Sequence, residues 1–199
     1  MQPPKPAIFP PFEVFYIQSM LFNTYSAVQS ISFLNEIFGV IPNPGSQKDL
    51  DNIPQRLVLD AMQNLVLQSA AISRYLWPVG KKHQERGDLL RTALGVDEGS
   101  PLASRALRNA VEHFDERLDD YLANGLIGQV IPESVGPSCS TLGVPEHLFR
   151  AYLTDKGTFV LLNKEFEILP IADALLALHE KLEHMDKNGG RLRRPKSEA

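Results

Sequence analysis

The chain has 199 residues, 43% of them hydrophobic, and its 20 basic and 24 acidic side chains leave a formal net charge of -4. That length suits one core of ordinary size, and the charge balance excludes the strong basic excess of a protein that coats nucleic acid. The single cysteine, Cys139, excludes an intrachain disulfide and a cysteine-based zinc site, so a reducing cytoplasm is the expected compartment.

Residues 1–11 hold five prolines and read as an extended leader, without the basic-then-apolar order of a signal peptide. From Phe12 to Phe38 apolar residues recur almost unbroken, which predicts a helix of about seven turns. Glu13 and Glu36 are its only charges, so it is expected either at the centre of a bundle or under a partner subunit. Its Asn, Gln, Ser and Glu residues argue against a membrane span. Gly39 ends it, and a turn-rich link leads to a second helix that starts near Pro54 and stops at Trp77-Pro78, where proline forbids continuation. Trp77 reads as a core anchor before it reads as a stacking surface for a base. The run KKHQERGDLLR follows, and Lys81, Lys82, Arg86 and Arg91 are the expected phosphate contacts if RNA binds, against the plainer reading of a solvated face.

Pro101 to Asn124 is the best-marked helix. Ser100 supplies an N-cap, Pro101 the first helical position, and Asn124-Gly125 the stop. Leu107, Ala110, Val111, Phe114, Leu118, Tyr121 and Leu122 recur at three- and four-residue steps and are expected to face a core. The polar side carries Arg108, Asn109 and His113, with Asn109 and His113 one turn apart. Imidazole moves protons near neutral pH, guanidinium holds a phosphate by paired hydrogen bonds, and an amide orients either, which is a workable set for phosphodiester chemistry without a metal or other cofactor. The plainer alternative pairs Arg108 with Glu112 or Asp115 and leaves His113 solvated.

Residues 125–146, rich in Gly, Pro and Ser, read as loop. A β-hairpin is expected over about 147–163 around Asp155-Lys156-Gly157, with Phe166, Ile168 and Leu169 able to extend it. A last helix starts at Pro170 or Ile171. On it His179 and His184 are five apart and sit on different faces, so no metal site is predicted. Residues 187–199 form a basic tail expected to be disordered. The fold expected is mainly α: a single domain over 12–186, a helical bundle of four to five helices with a small β-hairpin near the C-terminus. Gly-rich phosphate loops, nucleophile elbows, zinc signatures and internal repeats are all missing from the sequence.

The Arg-Asn-three residues-His pattern of Arg108, Asn109 and His113, on a helix of a mainly α chain, resembles the signature of the HEPN superfamily. The resemblance covers one helix. It implies a helical bundle that dimerises so that two motifs line one cleft, with metal-independent endoribonuclease or RNA-binding activity of the kind found in toxin–antitoxin and defence systems. Under it Arg108 would hold the scissile phosphate, Asn109 would orient a partner, and His113 would exchange a proton; an antitoxin or other protein is an implied partner. Two other readings are kept beside it. One is a non-catalytic homodimer that acts as an interaction module through the Phe12–Phe38 helix, and the other is a small-nucleotide-binding protein.

Overall fold

The structure, a computed structural model, describes residues 7–104, 106, 109–110, 113–138 and 145–193. Arg108 and Cys139 lie outside the described residues, as do most of the leader and the last six residues. The helices are α1 (Glu13–Gly39), α2 (Gln47–Leu50), α3 (Gln55–Leu76), α4 (Gln84–Leu94), α5 (Phe114–Ala123) and α6 (Leu169–Lys187). The strands are β1 (Gln129–Gly136), β2 (Glu146–Leu153), β3 (Thr158–Leu161) and β4 (Lys164–Glu167), in one sheet of order β1-β2-β3-β4.

This corrects the expected architecture. Instead of a four- to five-helix bundle with a small hairpin, the chain has six α-helices among the described residues and a four-stranded mixed sheet. β2 and β3 do meet antiparallel across Asp155–Gly157, but β4 continues the antiparallel order and β1 lies parallel to β2 on the other side. β1 occupies a segment read as loop. Pro132 sits inside it and lacks an N–H for a ladder, which an edge strand tolerates and a central strand does not. Residues 137–145 join the two parallel strands, shorter than the usual crossover of a dozen or more.

α1 is held by a seam at three- and four-residue steps, Ile17, Met20, Thr24, Ala27, Ile31 and Leu34, all buried. Its main partners are α3 and α6. α3 is buried on more than one side, through Val58, Met62, Leu65, Val66, Ile72 and Leu76 among others, and forms the middle of the core. One sheet face adds Val135, Tyr152 and Phe159 to that core, and the Phe38 and Tyr152 rings lie 5.5 Å apart where α1 meets it. Ala151, Leu153 and Val160 form a separate small cluster. No helix among the described residues is long and apolar enough to cross a membrane.

α4 ends as its sequence dictates. Gly95 takes a left-handed φ of 58°, with Val96 N–H bonded to Arg91 O and Gly95 N–H to Thr92 O, and Lys181 Nζ donates to Leu94 O at 2.8 Å. At the far end of the chain, residues 188–193 belong to the segment expected to be disordered, yet Glu13 Oε2 accepts from Leu192 N–H at 2.9 Å and Arg191 Nε at 2.8 Å. Leu192 is buried, and its burial with those bonds offsets the entropy of ordering the segment.

Candidate functional site

The Pro101–Asn124 region is not one continuous helix. Ser100 caps as expected, its hydroxyl accepting from Leu102 N–H, but the turn it starts is a short 3₁₀ helix over Pro101–Ala103 that gives way to extended backbone at Ser104. Helix is present at Asn109 and Ala110, and His113 breaks it with φ -119° and ψ 41° before α5 begins. Of the expected stripe, Leu107 and Val111 lie outside the described residues, and the rest is only lightly covered. Ala110 is buried, Phe114, Leu118 and Tyr121 are half-buried, and Leu122 is exposed. What lies beneath is the sheet, where Phe114 of α5 meets Phe149 edge-to-face at 5.7 Å.

Asn109 and His113 nevertheless share one cleft of about 560 Å³. One wall is the α5 segment, on which Asn109, His113, Arg117 and Tyr121 follow at steps of four. That step stacks side chains on one face, and the backbone bonds His113 N–H to Asn109 O and Arg117 N–H to His113 O carry the row through the irregular turn. The opposite wall is the β3–β4 turn, with Leu161, Leu162 and Lys164. Leu162 and Asn163 both have positive φ, 48° and 59°, the pair of left-handed residues that a two-residue hairpin needs. Leucine is costly there, and three bonds to β2 hold it: Leu162 N–H to Phe149 O, Asn163 N–H to Leu148 O, and Leu148 N–H to Asn163 Oδ1. The hairpin's position as the second wall is therefore fixed by its own hydrogen bonds.

His113 is 55% exposed, and its Nδ1 lies 3.3 Å from Glu116 Oε2, an ion pair when the ring is protonated. The other end of the cleft is more tightly defined. His147 Nε2 lies 3.1 Å from Ile127 O, which only accepts, so that nitrogen carries the proton. In the neutral ring Nδ1 is then an acceptor, and Tyr121 donates its hydroxyl hydrogen to it across 2.8 Å. Burial pushes the Tyr121 phenol above its ordinary value of 10.0, which keeps that hydrogen in place.

The basic residues expected to contact phosphate lie elsewhere. Arg86 donates from Nη2 to Arg74 O at 3.1 Å and lies 5.9 Å from the ring centres of both Tyr16 and Tyr75. Arg91 bonds Leu76 O, pairs with Asp88 at 2.6 Å and Glu98 at 3.0 Å, and covers Trp77, whose indole N–H donates to Glu98 at 2.8 Å. Both arginines fasten α4 to the end of α3, where exposed carbonyls attract cations. Lys81 and Lys82 are exposed on a 3₁₀ turn, and none of the four borders the cleft.

Sequence reasoning missed the residues that complete the cleft. Arg117 and Lys164 border it, and among the described residues neither forms an ion pair. Arg117 follows His113 by one turn, a signal that was available. His147 and Lys164 come from the sheet and had none. Another arrangement with catalytic composition is inert: Thr24 faces His179 Nδ1 at 2.9 Å, with Glu183 beyond at 3.9 Å, but Thr24 is 0% exposed and its hydroxyl donates to Leu21 O.

Comparison of the chain with family models, with characterised proteins and with solved structures returned no match.

Proposed function

We propose that the chain is a HEPN-like, metal-independent endoribonuclease or RNA-binding protein that acts as a homodimer, with a toxin–antitoxin or defence system as its setting. The observation that supports this most is that Asn109 and His113 border one cleft of about 560 Å³, beside a cation from each wall that forms no ion pair among the described residues. In the cleavage reaction the ribose 2'-oxygen forms a bond to phosphorus as the bond to the 5'-oxygen breaks. His113 exchanges a proton with one of those oxygens, and Arg108 stabilises the phosphate as its charge grows. The products are a 2',3'-cyclic phosphate and a free 5'-hydroxyl.

The test is cleavage of a mixed RNA substrate in the presence of chelator. Wild type is expected to cut, and a folded His113→Ala protein to lose about 10²-fold or more in rate, the usual contribution of a positioned proton-transfer group. Intact RNA with wild type, or equal cutting by the variant, refutes catalysis at His113.

A second reading, a non-catalytic interaction module, draws on α1. The side opposite its buried seam presents Phe15, Phe22 and Tyr25 to solvent, with Phe22 80% exposed, and such an aromatic row suits a partner surface.

A further inference from the structure

The hydrogen-bond polarity of the cleft goes beyond the RNA reading, on which it rests, because it differs from one end to the other. In the middle, Arg117 and Lys164 offer donors and positive charge from opposite walls. The acids beside them are Glu116, engaged by His113 at 3.3 Å, and Asp120. Arg117 and Lys164 balance the two carboxylates, and a protonated His113 adds one positive charge, enough for a single phosphate and not for a string of them.

One to two turns further along α5 the side chains present acceptors. With the His147 ring neutral, Tyr121 has its hydroxyl hydrogen committed to His147, so toward the cleft its oxygen offers lone pairs. Asn124 donates Nδ2 to Asp120 O at 2.8 Å. A carbonyl cannot donate, so the nitrogen faces Asp120 O, and Oδ1 is left as an acceptor for a ligand beside the one remaining Nδ2 hydrogen. Tyr121 and Asn124 lie about 6 Å and about 10 Å beyond Arg117 along the helix axis, the span from a phosphate to the base of its own nucleotide. Between the two regions Phe114 and Leu162 provide apolar surface.

We infer that this cleft holds one nucleotide of single-stranded RNA, its phosphate between Arg117 and Lys164 and its base at Tyr121 and Asn124, and that it selects a base with an exocyclic amino group. Two neighbouring acceptors match the two hydrogens of such a group. Uracil offers one N–H between two carbonyls, and a carbonyl facing Tyr121 would oppose its lone pairs. Tyr121 and Asn124 are thus specificity-determining residues, and Arg117 replaces the arginines of α4 as a phosphate contact.

Cytosine and uracil have the same ring size and differ at the amino position, so they isolate the effect. Binding of fluorescent 2'-fluoro oligocytidine and oligouridine, which lack the attacking hydroxyl and stay intact, is measured by anisotropy. Oligocytidine is expected to bind about tenfold more tightly. Tyr121→Phe and, separately, the exposed Asn124→Ala are expected to bring the ratio toward one, whereas Arg117→Ala weakens both ligands alike, each variant first shown to melt as wild type does. Equal binding of the two oligomers to wild type overturns the inference and leaves RNA binding standing. A ratio unchanged in both Tyr121→Phe and Asn124→Ala overturns the assignment to these residues. If neither oligomer binds, the inference falls, and the cleavage assay decides the RNA reading separately.

Discussion

At the scale of single residues, Asp155 shows how one local bond sets a response to acid. The Ser138 hydroxyl donates to its carboxylate, Ser138 N–H donates at 2.8 Å, and together they hold the carboxyl below its ordinary value of 3.8. A carboxyl with a depressed folded value stabilises the fold above its unfolded value and loses that contribution as pH falls through the folded one. Stability measured by denaturant between pH 5 and pH 2, about the range in which an aspartate titrates, is therefore expected to fall less steeply in Asp155→Asn than in wild type. The effect is small because the group is close to solvent. At this scale the sequence spoke clearly where chemistry is local, as at the Ser100 cap. It was silent where a partner comes from far away, as with His147 under Tyr121 or Glu13 under Leu192, because nothing in a neighbouring residue marks such a bond.

At the scale of elements, α4 forms a joint with the end of α3 through Arg86 and Arg91. Gly87 allows that joint to close. A Cβ placed there would lie 2.6 Å from Pro78 Cδ and 2.7 Å from Leu76 O, a rigid ring and a backbone carbonyl with little freedom to move. Gly87→Ala is expected to lower stability by about 1–2 kcal/mol, read from the urea midpoint, because overpacking exceeds the gain in helix propensity. An unchanged or raised midpoint would show that the two segments separate easily. Pro78 marked where α3 stops, but nothing in the charge run showed that Arg86 and Arg91 would turn to the carbonyls of Arg74 and Leu76 at that end. β1 was hidden for a related reason. Its proline and glycines read as breakers, and only its position at the edge makes them acceptable.

At the scale of the whole molecule, the long first helix was legible because its period and length are properties of the sequence alone. The sheet was not. Parallel pairing of β1 with β2 is non-local, and no turn signal announces it. What α1 leaves open bears on assembly. Its aromatic side carries no charge between Glu13 and Glu36, so a second copy meets no repulsion there. Sedimentation is expected to show a dimer that Phe22→Asp converts to a monomer with little change in the melting temperature, since the ring is outside the core. A monomeric wild type would remove the homodimer from the proposed function.

α5 contains no fully buried side chain, whereas α1, α3 and α6 are sealed along their length. One wall of the cleft is thus a lightly moored plank beside a rigid block. Its amides are expected to exchange with deuterium through local opening, orders of magnitude sooner than those of α3, which wait for global unfolding. An occupant bridging Arg117 and Lys164 would tie the plank to the sheet and slow that exchange selectively, so that binding registers as quieting of a single helix.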